Sequence, residues 1–258
     1  MPWIFIVGGG TIARVKTHVG RLQVVDEAEE LARVAATLIV EAARERPRCG
    51  IFLAGGATPR RTYEVVAQIA NANDFAGVHL WLGDERAVPL EHADSNGGMI
   101  LELWGDALGF VEDLGGGVRM PDPRLHVMPC GRGVEKQVKE IEWALASHAG
   151  TSPHPDLTLL GVGADGHTAS LFPGDPALEA NGLFASARGG ARITATRRLL
   201  AASKRIVFLV AGDAKADIVA SITADPHGSP AGRVALEAKA AGCDVMWLLD
   251  QRAVAKVS

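Results

Sequence analysis

Short apolar runs alternate with longer amphipathic stretches along most of the chain. The apolar runs span four to six residues and predict strands at 22–25, 51–54, 78–82, 125–128, 157–160, 205–210 and 245–249. Between them, apolar residues recur three or four positions apart, which predicts helices. Strands that alternate with helices indicate crossover connections. Uniformly apolar strands are typical of a sheet covered on both faces. We therefore predict an α/β fold with an open, mostly parallel, doubly wound sheet and helices on both faces.

The sequence contains no internal repeat and no glycine- or proline-rich stretch long enough to separate two domains. We expect one α/β domain over residues 21–258, which is long enough to bury its own core. Residues 1–20 are expected to form an N-terminal extension, a hairpin packed on that domain. Within it, GGGTIA at 8–13 fits a dinucleotide fingerprint, but no helical pattern follows. A glycine-rich hairpin is therefore favoured over nucleotide binding.

Glycine and charge are the informative parts of the composition. The chain has 30 glycines in 258 residues, about 12% against a usual value of about 7%. With 26 Lys and Arg against 30 Asp and Glu, the formal net charge is −4. A nucleic-acid-binding protein usually carries a basic excess, so we expect no nucleic-acid partner. An anionic ligand must then be held by a few local cations or by backbone N–H groups.

The cysteines and the N-terminal region indicate a reducing compartment. Cys49, Cys130 and Cys243 are odd in number and lack CxxC spacing, which favours neither a zinc site nor a disulfide framework. The N-terminal apolar run is too short for a secretory signal, and no stretch approaches the length of a membrane span. We expect a cytoplasmic protein with no membrane partner and no bound metal.

The first candidate site follows the strand at 51–54, where residues 55–59 read GGATP. Ligands of open α/β sheets bind beyond the carboxyl ends of the strands, so this position is informative. Gly55 and Gly56 leave backbone N–H groups bare, while Thr58 is predicted to cap a helix that begins at Pro59. A helix N-terminus of this kind holds phosphate well. A tight turn before a capped helix explains the same pattern equally well, and no Gly-Lys-Ser/Thr follows as in a P-loop.

The second candidate site, GDER at 83–86, follows the strand at 78–82. A run of charges is most often a solvated loop. At this edge of the sheet, the alternative is that Arg86 faces an anion and Asp84 a sugar hydroxyl. Ser95 or Asn96 is predicted to cap the next helix.

The third candidate site follows the strand at 157–160 and contains His167 two residues after Asp165. A histidine on a glycine-rich loop at a strand end is suited to act as a general base. Asp165 could orient the imidazole or contact the substrate. Arg192 and Lys215 each lie close to the start or end of a predicted element, and either one alone would be dismissed as surface charge.

Together these segments resemble the 6-phosphogluconolactonase family, within the superfamily that includes glucosamine-6-phosphate deaminase. The matching stretches are LAGGATP (53–59), GDERAVP (83–89), DSNGGM (94–99), LLGVGADGHTASLFPG (159–174), RIT (192–194) and GDAK (212–215). They occur in the family's order. The long stretch at 159–174 is the most specific, and the short ones matter because they occur together.

The resemblance implies hydrolysis of 6-phospho-D-glucono-1,5-lactone to 6-phospho-D-gluconate in the oxidative pentose phosphate pathway. His167 would then activate water against the lactone carbonyl and later protonate the ring oxygen, with Asp165 in support. The phosphate would be bound by residues at three places in the chain: Gly55, Gly56, Thr58, Arg192 and Lys215. Arg86 would help to position the substrate. Hydrolysis of a phosphorylated sugar lactone requires no cofactor. We expect the protein to be a monomer.

Two other functions stay open at this point. A glucosamine-6-phosphate deaminase resembles the chain, but that branch carries a glutamate where this sequence has Phe172, which cannot transfer a proton. A non-catalytic sugar-phosphate sensor would need the phosphate loop but not Asp165 or His167, and both are present.

Overall fold

The computed structural model describes residues 13–45, 48–114, 119–128, 134–149 and 153–257. The glycine triplet at 8–10, the rest of residues 1–12 and Cys130 lie outside the described residues.

The described chain contains a central sheet of eight strands, and two smaller sheets. In chain order the strands are β1 Ala13–Thr17, β2 Gly20–Val25, β3 Cys49–Leu53, β4 Val78–Leu82, β5 Asp84–Arg86, β6 Val111–Asp113, β7 Arg119–Pro121, β8 Leu125–His126, β9 Leu157–Gly161, β10 Phe184–Ala187, β11 Arg192–Ala195, β12 Arg205–Val210 and β13 Asp244–Asp250. The helices are α1 Ala28–Glu45, α2 Ala57–Ile69, α3 Asn96–Trp104, α4 Val134–Ala149, α5 Arg197–Ala201, α6 Ala216–Ala224 and α7 Pro230–Ala240.

The central sheet has the order β1-β2-β13-β12-β9-β3-β4-β8. Every neighbouring pair is parallel except β1 and β2, which are antiparallel. The middle strands are buried almost throughout: residues 206–210 of β12 and 157–160 of β9 are all buried, as expected for a sheet covered on both faces. The predicted open, mostly parallel, doubly wound α/β sheet is confirmed.

The first two strands form a hairpin with a two-residue turn between Thr17 and Gly20. Gly20 has φ +127°, and a Cβ at this position would lie 2.5 Å from the carbonyl oxygen of Val245. Glycine is therefore the residue that lets β2 approach β13, with which it pairs in parallel. Residues 13–20 belong to the central sheet in this way, while the division into an extension at 1–20 and a domain at 21–258 stays a prediction.

A second sheet, with the order β10-β11-β5, was not predicted from the pattern. The charged segment GDER at 83–86, for which a solvated loop was the usual expectation, contributes β5 to this sheet. Its residues Asp84–Arg86 pair antiparallel with β11. Since side chains alternate along a strand, Asp84 and Arg86 share one face and Glu85 points to the other. This alternation sends two charged groups towards the ligand edge of the central sheet and one towards helix α3.

Candidate active site

A cleft of about 360 Å³ lies at the carboxyl ends of β3, β4, β9 and β12, with β5 and β11 at one side. Its lining includes seven residues that the sequence predicted for the site: Gly55, Gly56, Asp84, Arg86, His167, Arg192 and Lys215. Asp165 contacts His167 from behind. Thr58 is not among the lining residues. The topology thus brings together residues from five separate stretches of the chain.

The strongest pairing in the cleft is between His167 and Asp165. The Nδ1 atom of His167 lies 2.5 Å from Oδ1 of Asp165, and the backbone N–H of His167 donates to the same oxygen at 3.1 Å. Because an ionised carboxylate only accepts hydrogen bonds, Nδ1 carries the proton and Nε2 is left as the acceptor. Burial acts to raise the pKa of the Asp165 carboxyl, but these hydrogen bonds prevail and lower it. The geometry therefore turns Nδ1 of the imidazole towards an ionised carboxylate and leaves Nε2 as the other ring nitrogen.

The loop that holds this pair depends on Gly163. A Cβ at this position would lie 2.1 Å from Nδ1 of His167 and 2.6 Å from Oδ1 of Asp165. The Gly163 backbone also closes the loop, since its N–H donates to the carbonyl of His167 at 2.8 Å. The imidazole therefore occupies the space that any other residue at 163 would need.

Phe172 covers one side of the imidazole. Its ring centroid lies 4.4 Å from that of His167, and its side chain is buried. The guanidinium of Arg188 sits 3.8 Å above the same phenyl ring. Phe172 thus keeps water from one side of the base and holds the ring in place through contact on its apolar surface.

Arg86 and Arg192 stand directly opposite each other in the β5–β11 pair. Side chains at such positions project from the same face of the sheet, with Cβ atoms about 4.5–5.5 Å apart, and like charges there are destabilising. Both line the cleft. A third cation, Lys215, lies at the end of the short 3₁₀ turn Asp213–Lys215 before α6. Three cations around one cleft indicate a subsite for an anion.

Asp84 is tied to this cationic side of the cleft. Its side chain is 9% exposed, and Oδ2 accepts from the Ser170 hydroxyl at 2.5 Å and lies 3.7 Å from Nη1 of Arg192. Holding Arg192 is therefore a function of Asp84 in the structure. Its predicted contact with a sugar hydroxyl stays a prediction.

Arg86 is only partly satisfied by its neighbours. Its Nη1 donates to the backbone carbonyl of Asp94 at 2.5 Å and to Oδ1 of Asn96 at 3.1 Å. Its Nε is buried and has no hydrogen-bond partner among the described residues. A buried donor left unpaired costs about 1–3 kcal/mol, so this arrangement is typical of a binding position.

The loop at residues 55–58 differs from its prediction in one respect. Helix α2 begins at Ala57 with Gly56 at the N-cap and no side-chain cap, so the predicted cap at Thr58 is wrong. The φ of +105° at Gly56 turns the chain into the helix two residues before the predicted start. Thr58 instead lies in the first helical turn, where its carbonyl accepts from the Thr62 hydroxyl at 3.1 Å. The free amides of the turn remain available to an anion.

Ser95 caps helix α3, as the sequence predicted, by accepting from the N–H of Gly98. The sequence did not predict the role of Glu85, which points away from the cleft. Its buried carboxylate accepts from the Ser95 hydroxyl at 3.1 Å and from the N–H groups of Asn96 and Gly97, each at 2.8 Å. Burial raises the pKa of Glu85 although these hydrogen bonds oppose the shift. Glu85 thereby joins β5 to the start of α3.

Two features are absent from the described residues. No group of three or more His, Cys, Asp or Glu side chains in them is placed to hold a metal ion. Within the same residues, no helix has both the length and the apolar character needed to cross a membrane.

Comparison with known proteins places this cleft in context. Residues 25–247 match the family of glucosamine-6-phosphate isomerases and 6-phosphogluconolactonases. A 6-phosphogluconolactonase of Synechocystis sp. is 36% identical over 228 residues, which cover 84% of this chain and 88% of the relative. The crystal structure of the devB protein matches with 30% identity and a TM-score of 0.78, covering 92% of this chain and 99% of that one.

The fold alone does not separate the branches of this family. A monomeric glucosamine-6-phosphate deaminase matches with a TM-score of 0.71 and 19% identity, covering 91% of this chain and 99% of the other. At that identity the likeness concerns the fold only. The choice between a lactonase and a deaminase therefore depends on the residues of the cleft and on the closer relatives.

Proposed function

Since the chain belongs to the family of glucosamine-6-phosphate isomerases and 6-phosphogluconolactonases, we propose that it hydrolyses 6-phospho-D-glucono-1,5-lactone to 6-phospho-D-gluconate. It is a carboxylic ester hydrolase of sugar-phosphate metabolism, in the step of the pentose phosphate pathway that opens this lactone. One observation carries the proposal: His167, which is paired with Asp165, lines the same cleft as the cations Arg86, Arg192 and Lys215.

The cationic side of the cleft accounts for the phosphate. Arg86 and Arg192 are held together on one face of β5 and β11, so a phosphate between them relieves their repulsion. Lys215 and the bare amides near Gly55 and Gly56 add further donors. Binding this remote group orients the lactone ring, and the orientation lowers the barrier for the reaction at the other end.

His167 performs the proton transfers. Nε2 accepts a proton from water while the water oxygen forms a bond to the lactone carbonyl carbon, which gives a tetrahedral intermediate. When the intermediate collapses, the bond from that carbon to the ring oxygen breaks and the imidazolium returns the proton to that oxygen. Asp165 keeps Nδ1 protonated and stabilises the imidazolium that forms.

Phe172 supports the lactonase over the deaminase. It occupies the position for which a proton-transferring carboxylate is expected in a deaminase, and its ring packs on His167 at 4.4 Å. An apolar ring there leaves the imidazole as the group for proton transfer on this loop.

The substrate class, the location, the oligomeric state and the partners are proposed in more general terms. We expect the substrate to be a phosphorylated sugar lactone, and we expect the protein to act in the cytoplasm as a monomer without nucleic-acid or membrane partners. Light scattering coupled to size exclusion tests the expectation of a monomer.

The test of function is the decay of freshly generated 6-phospho-D-glucono-1,5-lactone, corrected for spontaneous hydrolysis. A lactonase accelerates the decay in proportion to protein concentration. An unchanged decay rate, together with release of ammonia from glucosamine 6-phosphate, would identify the deaminase instead. Tight binding of 6-phosphogluconate with turnover of neither compound would identify a sensor.

A further inference from the structure

Asn96 lies at the point where three segments meet: strand β5, helix α3 and the loop at residues 55–58, which we call the phosphate loop. It is the first residue of α3, it is buried, and its backbone N–H donates to Glu85 at 2.8 Å. Its side chain turns away from the helix and back towards β5. The predicted capping role falls to Ser95, which leaves the Asn96 amide for another use.

The partners of the Asn96 amide fix its orientation. Nδ2 donates to the backbone carbonyl of Asp84 at 2.8 Å and lies 3.5 Å from Oδ1 of the same residue. Oδ1 accepts from Nη1 of Arg86 at 3.1 Å. An acceptor on one side and a cationic donor on the other permit only this arrangement of the amide. Both ends of the side chain are therefore committed to holding β5 and the guanidinium of Arg86.

Gly55 completes the arrangement from the opposite side. A Cβ at Gly55 would lie 2.0 Å from Oδ1 of Asn96, so the amide oxygen packs against bare backbone of the phosphate loop. The oxygen that accepts from Arg86 is thus also in contact with this loop. One side chain links two separate parts of the anion subsite.

We infer that Asn96 is a positioning residue for phosphate recognition, acting through Arg86. It orients the guanidinium towards the cleft and sets its distance from the loop at Gly55, while its own amide stays committed to Arg86 and Asp84. The identification of the anion that binds at this site as the substrate phosphate rests on the proposed function. The geometry of the Arg86–Asn96–Gly55 contact does not.

A double-mutant cycle separates this role from simple structural support. Arg86→Ala, Asn96→Ala and the double variant are compared by the calorimetric dissociation constant of 6-phosphogluconate. We expect Asn96→Ala to weaken binding about tenfold, the scale of one hydrogen bond to a charged group. In the Arg86→Ala background the same change should matter less than about twofold, because residues that act through one another are not additive. An equal loss in both backgrounds would overturn the inference.

Ser95→Ala is the matched control. It removes the neighbouring side chain, with its bonds to Gly98 and Glu85, but leaves the contact between Asn96 and Arg86 intact. We expect a lower melting temperature and an unchanged dissociation constant. Loss of affinity equal to that of Asn96→Ala would show that damage to the start of α3 is sufficient, and would overturn the positioning role.

Gly55→Ala disturbs the same contact without changing Asn96. It replaces Asn96→Ala as the test if that variant does not fold. Its methyl group must displace the Asn96 oxygen, so we expect a comparable loss of affinity. In the Arg86→Ala background the same change should matter less than about twofold. Retention of full affinity in Gly55→Ala would contradict the inference.

A kinetic measurement supplies the readout that a merely structural role would not move. The ratio of kcat/KM for 6-phosphogluconolactone to that for unphosphorylated glucono-1,5-lactone should fall about tenfold in Asn96→Ala. A fall in both values that leaves the ratio unchanged counts against the positioning role. If the wild-type protein hydrolyses neither lactone, the proposed function fails, whereas the cycle on 6-phosphogluconate or inorganic phosphate still decides the role of Asn96.

Discussion

Arg86 and Arg192 face each other directly across the antiparallel pair of β5 and β11. The chain keeps two guanidinium groups side by side although like charges at such positions oppose pairing. Asp84 lies 3.7 Å from Arg192 and offsets one of the two charges, while the Nε of Arg86 stays without a hydrogen-bond partner in the described part of the chain. The arrangement is costly without an anion and is relieved when one binds.

Anion binding should therefore stabilise the folded protein. At a concentration of 6-phosphogluconate one hundred times its dissociation constant, the free energy of unfolding should rise by about 2.7 kcal/mol. For a chain of this size, that corresponds to an increase of about 5–10 °C in the melting temperature. Gluconate is the control and should give little increase. An equal increase with gluconate would contradict a phosphate subsite.

Removing the base should separate catalysis from binding. We expect His167→Ala to lower kcat by about 10²–10⁴-fold, because one general acid–base group contributes on that scale. The dissociation constant of 6-phosphogluconate should change less than about threefold. A variant with wild-type kcat would remove His167 from its proposed role.

Asp165→Asn tests the support of the imidazole. An amide at this position can donate to Nδ1, which then favours the tautomer with the proton on Nε2. We expect kcat to fall at least about tenfold with little change in KM, and steady-state kinetics on the lactone measures both. Unchanged kcat would mean that the 2.5 Å contact does not set the state of the base.

Lys215→Ala should mainly weaken substrate binding. Loss of one cation from the anion subsite is expected to raise KM about tenfold or more, with a smaller effect on kcat. Lys256→Ala is the matched control, because Lys256 pairs with Asp217 at 2.7 Å and does not line the cleft. Similar kinetics for the two variants would contradict a role of Lys215 in binding.

Acid should destabilise the far edge of the central sheet through three histidines. His79 on β4 contacts His126 on β8 with 2.9 Å between ring nitrogens, and the ring of His148 on α4 lies 3.6 Å from that of His79 at an angle of 31°. Burial lowers the pKa of His79 from 6.5 to about 4 and that of His126 to about 3. The pKa of His148 is also lowered by burial. Arg124 and Arg48 add to the lowering at His79, while Asp122 opposes it.

The direction in which stability changes with pH follows from proton binding to the folded and unfolded chains. Between about pH 6.5 and pH 4 the unfolded chain binds protons at His79 and His126 and the folded chain does not, so stability falls as the pH falls. Thermal melts across this range should show the decrease, and His126→Phe should make it shallower while keeping a ring against Trp81. An identical pH dependence in that variant would contradict the assignment to this cluster.

The apolar runs of the chain predicted most of the central sheet, because strands buried on both faces leave an unmistakable pattern. The sheet topology then determined that the loops with Gly55, Asp84 and His167 meet. The pairing of Arg86 with Arg192 could not be predicted, since β5 is a three-residue strand made only of charged residues and has no hydrophobic period. Register between distant short strands depends on tertiary packing.

Of the two helix caps predicted from the sequence, one is confirmed and one is wrong. Ser95 has a side chain that caps a helix wherever the backbone permits, and it does so here. Thr58 has the same chemistry, yet Gly56 admits a backbone turn that begins α2 earlier and leaves Thr58 inside it. The inward direction of Asn96 has no sequence signature, because a capping asparagine and a bridging one look alike in the chain.

The division of the cleft between two sheets has an evolutionary consequence. The paired arginines belong to the small sheet, whereas the His167 loop follows a strand of the central one. Substitutions in the small sheet can thus alter which ligand is retained while the His167 loop is inherited intact. Selection can adjust affinity and turnover in separate steps, and a laboratory library confined to β5, β10 and β11 should sample new substrate preferences on an unchanged catalyst.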